Sequence, residues 1–407
     1  MTQITLSDLL LQGDKRNPAT LYTQLRQQGP LCYVSDFGGT GAWVVTTYED
    51  AIAVLKDPRF IRDSHKVAPT EERQPSSANI ASLLTLGTWR RDMATVDPPD
   101  HTRLRHLASK AFTPHMIERL RPRIQQITDE LLDAVQQQGQ MDLINDFAFP
   151  LPITVIGELL GIPVEDRKQF RAWTDAMLAM NGESQQVAAN VSAIQSFVSY
   201  IKTLLSEKRG HPGSDLTSGL VQAEENGDAL DEGELISTIF LLIVAGHVTT
   251  VNLIGIGMLA LLEHPEQMHL LQQDLSLIPS AIEELLRYTA PVSLAAPRWA
   301  SEDVVMHDKL IRKGEMVFVS LVAANTDPQH FHDPELLDIT RHENQHLAFG
   351  KGIHYCLGAP LARLEGQIAF STLLQRLPHL RLAVDPEQVT WAQSPILRNL
   401  MSLPVTF

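Results

Sequence analysis

Cysteine is almost absent: the 407 residues contain two, Cys32 and Cys356. Two thiols give no disulfide framework, and the low count suits a reducing, cytoplasmic compartment. Positive charge is also scarce. Lys and Arg number 33 against 48 Asp and Glu, a net charge of -15. That balance argues against nucleic acid, or an anionic membrane, as partner of the surface as a whole. The segment MTQITLSDLLLQGDKRNP has no basic stretch followed by an apolar run, so neither a signal peptide nor a membrane anchor is expected. Internal repeats are missing. No Pro/Gly/Ser tract is long enough to divide the chain, and residues 1–407 read as a single domain.

Ionisable carboxylates and amines are missing from one long stretch. Between Leu235 and Leu262, LISTIFLLIVAGHVTTVNLIGIGMLALL holds no Asp, Glu, Lys or Arg. Its length is that of a membrane span. However, His247, Thr249, Thr250 and Asn252 sit at its middle, where lipid penalises them. Its flanks carry DEGE instead of Lys or Arg. The stretch therefore reads as a helix buried inside a large protein, its polar middle facing a cavity.

What is present is mostly helical pattern. PLCYVSDFGGTGAWVVTTYED reads as two strands around a glycine turn, followed by a capped helix in TYEDAIAVLKDPRF. From about 100 to 285 apolar residues recur at three- and four-residue spacing. EKRGHPGSDLTSGL (207–220) reads as a polar loop. Short strands follow Tyr288, and helix returns over 361–376.

Cys356 lies in HLAFGKGIHYCLGAP, with Gly350, Gly352 and Gly358 around it and His354 two residues before it. A thiolate is a nucleophile or a metal ligand. His354 is too close along the chain to pair well as a general base. As an iron ligand, the sulfur needs backbone donors and open space for a flat macrocycle, and glycines supply both. Helical pattern starts at once in LGAPLARLEGQ. This sets the sulfur at a helix N-terminus, whose dipole favours negative charge, with Pro360 tolerated in the first turn.

FGKGIHYCLG resembles the haem-binding signature of the cytochrome P450 family, Phe-x-x-Gly-x-x-x-Cys-x-Gly, and the likeness continues through APLARLE. AIEELLRY resembles the family's Glu-x-x-Arg helix, DPPDHTRLRHLASKAF its haem-contacting helix, and AGHVTTVN its distal motif. The resemblance covers essentially the whole chain and looks closest to soluble bacterial members acting on polyketides and macrolides. It implies a mainly α fold with small β-sheets, a large helical lobe and a smaller β-containing region around a buried haem b (iron protoporphyrin IX). It implies Cys356 as the iron ligand, with Phe349, Gly350 and Gly358 shaping the loop. His101, Arg105, Arg298 and His354 are implied partners of the propionates. Glu284, Arg287 and Arg341 are implied to form a buried structural network. Thiolate ligation pushes electron density onto iron and favours O–O cleavage, so the implied activity is O2-dependent oxidation of a lipophilic small molecule.

In the distal motif, Gly246 is implied to leave space for dioxygen and Thr249 to offer a hydrogen bond. The family's acid is replaced here by Val248, which puts the usual proton relay in doubt. His247 is expected to point away, since neighbouring helix residues lie about 100° apart. The resemblance implies a substrate pocket of Leu83, Leu84, Val244, Val248, Val292, Leu294, Ile396 and Leu397, nearly all apolar. With no flavin or NADPH domain in the chain, electrons are expected from a ferredoxin or flavodoxin with its reductase. Arg103, His106, Lys110, Lys351 and Arg363 are candidates for a basic docking patch. A monomer is expected.

Three other readings stand beside this one. A peroxide-driven peroxygenase, or a haem protein for binding or sensing, would be compatible with Val248. HENQH (342–346) matches the zinc-protease pattern, which requires His342 and His346 on one helix face with Glu343 as base.

Overall fold

The computed structural model describes residues 19–37, 40–67, 92–178, 184–225, 227–392, 394 and 396–407. The chain resolves into two compact units. One comprises residues up to Val67, Thr128–Pro150 and Val248–Phe407; the other comprises 68–127 and Leu151–His247. Leu83 and Leu84 lie outside the described residues. The fold is mainly helical with small sheets, as expected.

The first unit is built on a five-stranded sheet in the order Leu31–Phe37, Thr40–Val45, Met316–Val319, Arg298–Ala300, Phe60–Ile61. Thr40–Val45 and Met316–Val319 run parallel, with Ala42 opposite Met316 and Val45 opposite Val319; the other pairs are antiparallel. Alternating apolar residues put Leu31, Val45, Val317 and Val319 into one core, together with Tyr48, Val54 and Leu55 of the Tyr48–Lys56 helix. Thr47 precedes that helix, but its hydroxyl bonds the Asp50 carboxylate and caps no backbone amide. The same unit holds the helices Ile278–Thr289 and Ala359–Arg376.

In the second unit the helices Asp100–Ala111, Pro150–Leu159, Arg167–Leu178, Ser184–Gly210 and Leu216–Gln222 dominate. The loop expected over 207–220 is shorter than its composition suggests. Helix continues to Gly210 and restarts at Leu216, because Asp215 caps the new helix by accepting from the Ser218 amide at 2.8 Å.

The apolar stretch is one helix, Glu232–Glu263, and the unit boundary falls within it, between His247 and Val248. It is long and apolar enough to cross a membrane, yet its most apolar window is 61% buried inside the protein. Glycines let neighbours press against it. A Cβ on Gly246 would meet Ile156 Cδ1 at 2.9 Å, one on Gly255 would meet Ile144 Cδ1 at 2.3 Å, and one on Gly257 would meet Phe370 Cζ at 2.8 Å.

Candidate functional site

The cysteine loop is closed by its own backbone. The Cys356 amide donates to the Phe349 carbonyl at 3.0 Å and the Gly350 amide to Leu347 at 2.8 Å. Gly350 and Gly352 adopt φ of 70° and 76°, left-handed values that favour glycine. A short 3-10 turn, Gly352–His354, leads to the partly buried thiol. Two residues later Gly358 caps the Ala359–Arg376 helix, whose second position is Pro360. The sulfur thus stands before the N-terminus of a helix of 18 residues, in the positive end of its dipole.

The glycines of the loop differ in what surrounds them. A Cβ on Gly350 would meet nothing within 4 Å, and one on Gly358 would lie 3.9 Å from Cys356 Sγ. A Cβ on Gly352 would sit 2.7 Å from the Leu55 carbonyl oxygen. That same carbonyl accepts from Arg298 Nη2 at 3.4 Å, while Arg298 Nη1 donates to Phe60 at 3.0 Å. Arg298, only 5% exposed, and the loop carrying His354 therefore converge on the end of the Tyr48–Lys56 helix. A thiol in a glycine cradle, with a buried guanidinium close by, fits an iron-bearing macrocycle with carboxylate substituents. In the second unit His101 and Arg105 are one turn apart on the Asp100–Ala111 helix. Burial, and then the Arg105 charge, hold the His101 imidazole below its ordinary pKa, against a smaller opposing pull from Asp97.

On the Ile278–Thr289 helix, Glu284 and Arg287 are wholly buried. Arg287 donates Nε and Nη2 to the two Glu284 oxygens at 2.8 Å each. Its remaining donors reach the carbonyls of Asn325 (2.9 Å), Pro334 (2.7 Å) and Leu336 (3.0 Å). Arg341 Nε approaches Glu284 at 3.2 and 3.3 Å. The Asn344 amide and the Asp338 backbone N–H each donate to Glu284 at 3.0 Å. A charge pair this deep persists only because its lone pairs and protons are satisfied.

Gly246, Val248 and Thr249 lie within one turn of the Glu232–Glu263 helix and are all partly buried, as is Val244, whereas His247 is fully buried. The tight approach of Ile156 gives Gly246 a packing reason for lacking a side chain. Val292 and Leu397 face each other across an isolated bridge, and the Ser293 amide donates to Ile396 at 2.7 Å. Leu294 needs correction as a pocket residue: at 1% exposure it packs among Tyr22, Leu25, Val34 and Phe318, inside the core.

Other corrections concern charge. Arg103 pairs with Glu234 and with Asp228, Lys110 donates to the Glu224 carbonyl at 2.7 Å, and Arg363 is paired with Glu283. Arg103 and Arg363 are therefore offset by carboxylates, whereas the carbonyl that Lys110 meets carries no formal charge. Residues 342–346 form no helix, and among the described residues no group of three metal-ligating side chains gathers. The geometry demanded by the zinc reading is not met.

Two features have no counterpart in the sequence pattern. Glu283, beside Glu284, accepts from Arg363 Nε and Nη2 at 2.7 and 2.8 Å and from His346 Nε2 at 3.1 Å. Although burial pushes this carboxyl up, Arg363 and His346 hold it down to about 2. Glu365, on the helix after the cysteine, is 2% exposed, and its Oε2 has no hydrogen-bond partner. Burial alone pushes it up to about 8. The doublet EE is the only visible signal for the first, and nothing in RLEGQ marks the second as buried.

Comparison with known proteins gives one family. A family model described as Cytochrome P450 matches residues 192–395. The chain is 54% identical over 412 residues to "Cytochrome P450 CYP107DY1" of Priestia megaterium, covering all of both chains. It is 46% identical over 393 residues to "Polyketide biosynthesis cytochrome P450 PksS" of Bacillus subtilis, covering 96% of each. Among solved structures, myxobacterial cytochrome P450 CYP267B1 in complex with myristic acid superposes with a TM-score of 0.90 at 44% identity, over 98% of this chain and 99% of that one.

Proposed function

Because the chain belongs to the cytochrome P450 family, haem-iron oxidoreductases of the monooxygenase type, we propose that it binds haem b through Cys356 and oxidises a lipophilic small molecule with O2. The observation that carries this reading is the thiol in its glycine cradle before the Ala359–Arg376 helix. Haem held by a thiolate supplies O–O cleavage. The chain's own residues supply the rest. Phe349, Gly350 and Gly358 shape the loop, while Arg298, His354, His101 and Arg105 partner the propionates. The Glu284–Arg287–Arg341 network holds the segment leading into the cysteine loop. Thr249 presents a hydroxyl that donates or accepts, with Gly246 one turn earlier. Val248 offers no ionisable group, so protons reach Thr249 from water or a substrate hydroxyl.

A chain or ring of hydrocarbon character, polyketide or fatty acyl, is the proposed substrate class. Support comes from the polyketide biosynthesis in which PksS is named and from the myristic acid bound by CYP267B1, together with the apolar Val244, Val292, Ile396 and Leu397. Electrons come from a separate ferredoxin or flavodoxin with a reductase. We place the protein in the cytoplasm, as a monomer working as a single domain, with no nucleic-acid or membrane partner.

The reduced carbon-monoxide difference spectrum of the holoprotein tests the ligand. A thiolate-type band is expected, and Cys356→Ala should lose it together with oxidation. Retention of both in the variant would overturn the assignment. Val248 favours comparison with a peroxide-driven reading. Turnover with hydrogen peroxide exceeding turnover with O2, reductant and redox proteins would establish that alternative.

A further inference from the structure

Glu283, His346 and Arg363 come from three separate segments and meet around one aromatic ring. Arg363 lies over the Phe349 ring at 4.5 Å from its centroid, and His346 and Phe349 are 6.0 Å apart. Arg363 Nη1 also donates to the Tyr355 hydroxyl at 3.3 Å. One guanidinium therefore touches residues on both sides of the loop that ends at Cys356. Phe349 supplies the carbonyl that accepts the Cys356 amide. The charges balance locally. His346 Nδ1 accepts from the Ala348 amide at 3.2 Å, which leaves Nε2 to donate to Glu283, and the clamp sets the Glu283 carboxylate against the Arg363 guanidinium. Both are partly shielded, at 28% and 30% side-chain exposure, where a unit charge acts over a longer range than in water.

We infer that Glu283, Arg363 and His346 form a charge-balanced clamp on Phe349 that positions the cysteine loop and sets the electron affinity of haem held by Cys356. These are positioning residues, acting through Phe349 and Tyr355, and the inference rests on the haem-thiolate reading. A balanced pair has a signature that a simple brace lacks: removing either charge should move the potential, in opposite directions.

The test is an equilibrium titration of wild-type and variant holoenzyme with a reductant and mediators, following the haem spectrum as each iron takes one electron from Fe(III) to Fe(II). Glu283→Gln leaves the guanidinium unbalanced and should raise the potential. Arg363→Met leaves the carboxylate unbalanced and should lower it. Each shift should be on the order of tenfold in the ferric/ferrous ratio at fixed potential, ~59 mV. The double variant should return towards wild type. Arg363→Lys keeps the charge but loses the fork, so it should hold the potential while amide hydrogen exchange over 346–358 quickens. Single variants that shift the same way, or that lose stability at an unmoved potential, would overturn the clamp as a tuning device. If Arg363→Met retains no haem, an unmoved potential in Glu283→Gln overturns it alone. The wild-type carbon-monoxide spectrum is read first; absence of the thiolate band defeats the underlying reading, separately from the clamp.

Discussion

The helices Ile278–Thr289 and Ala359–Arg376 each carry carboxylates inside the first unit and treat them in opposite ways. Glu284 is wrapped by Arg287, Arg341, Asn344 and a backbone amide, and Glu283 by Arg363 and His346. Glu365 is as deeply hidden as Glu284 and has an oxygen with no partner. Burial penalises charge in all three places, and only partners reverse the outcome. Paired Glu283 is held down to about 2, whereas bare Glu365 is pushed up to about 8 and keeps its proton at neutral pH. Burial of an acid in this protein therefore says little until its donors are counted.

The largest blow to the contrast should come from Glu284→Ala. It strips one partner from Arg287 and leaves a buried guanidinium short of acceptors, at a cost of ~3–5 kcal/mol. Urea unfolding and haem content per chain should both show the loss; a fully loaded variant of wild-type stability would mean that the surrounding carbonyls suffice.

The bare acid should behave in the reverse sense. Glu365 holds its proton in the fold to about 8, while the unfolded chain loses it near 4.5. Between those values the unfolded state binds fewer protons, so stability falls as pH rises, by ~1.4 kcal/mol for each pH step of one across that window. Glu365→Gln should flatten that decline and gain roughly 2–4 kcal/mol on wild type near pH 8. Parallel stability–pH curves for the two proteins would show that the fold already supplies a partner.

Glu283 titrates at the other end. Its stabilisation is complete above 4.5 and lost as pH falls towards about 2. Because the pair is partly solvated, the loss should be only about 1 kcal/mol. Glu283→Gln should remove this acid limb, and unfolding midpoints between pH 5 and 2 read it directly.

The smallest effect expected adds a carboxylate where none exists. Val248→Glu puts an acid next to Thr249 in a stretch without one, and should raise product formed per reductant consumed while lowering peroxide release. Equal coupling in both proteins would show that protons reach Thr249 without position 248, leaving the valine as a shaper of the pocket.

What is legible in the sequence is contiguous. The Phe349–Gly358 loop, the i,i+3 spacing of Glu284 and Arg287, and the buried character of Glu232–Glu263 all follow from residues within a turn or two of one another. The family pattern adds Arg341 across 57 residues. Glu283 meets His346 and Arg363 across 63 and 80 residues, and no local spacing encodes that. Arg103 reads as a free cation because Asp228 lies 125 residues away. The family resemblance places Leu294 in the pocket, but it is buried against Tyr22 and Leu25, which lie far from it along the chain.

Glu284 precedes its partners Asp338, Arg341 and Asn344 by 54, 57 and 60 residues. During synthesis at 5–20 residues per second, roughly 3–12 s separate the acid from the last of them. Throughout that interval the nascent chain carries a carboxylate that has Arg287 but none of the donors that make its burial tolerable. The Ile278–Thr289 helix cannot settle into its final place until the ribosome has passed Asn344, so the order of translation puts the closing of this interior after the emergence of the segment that leads to Cys356.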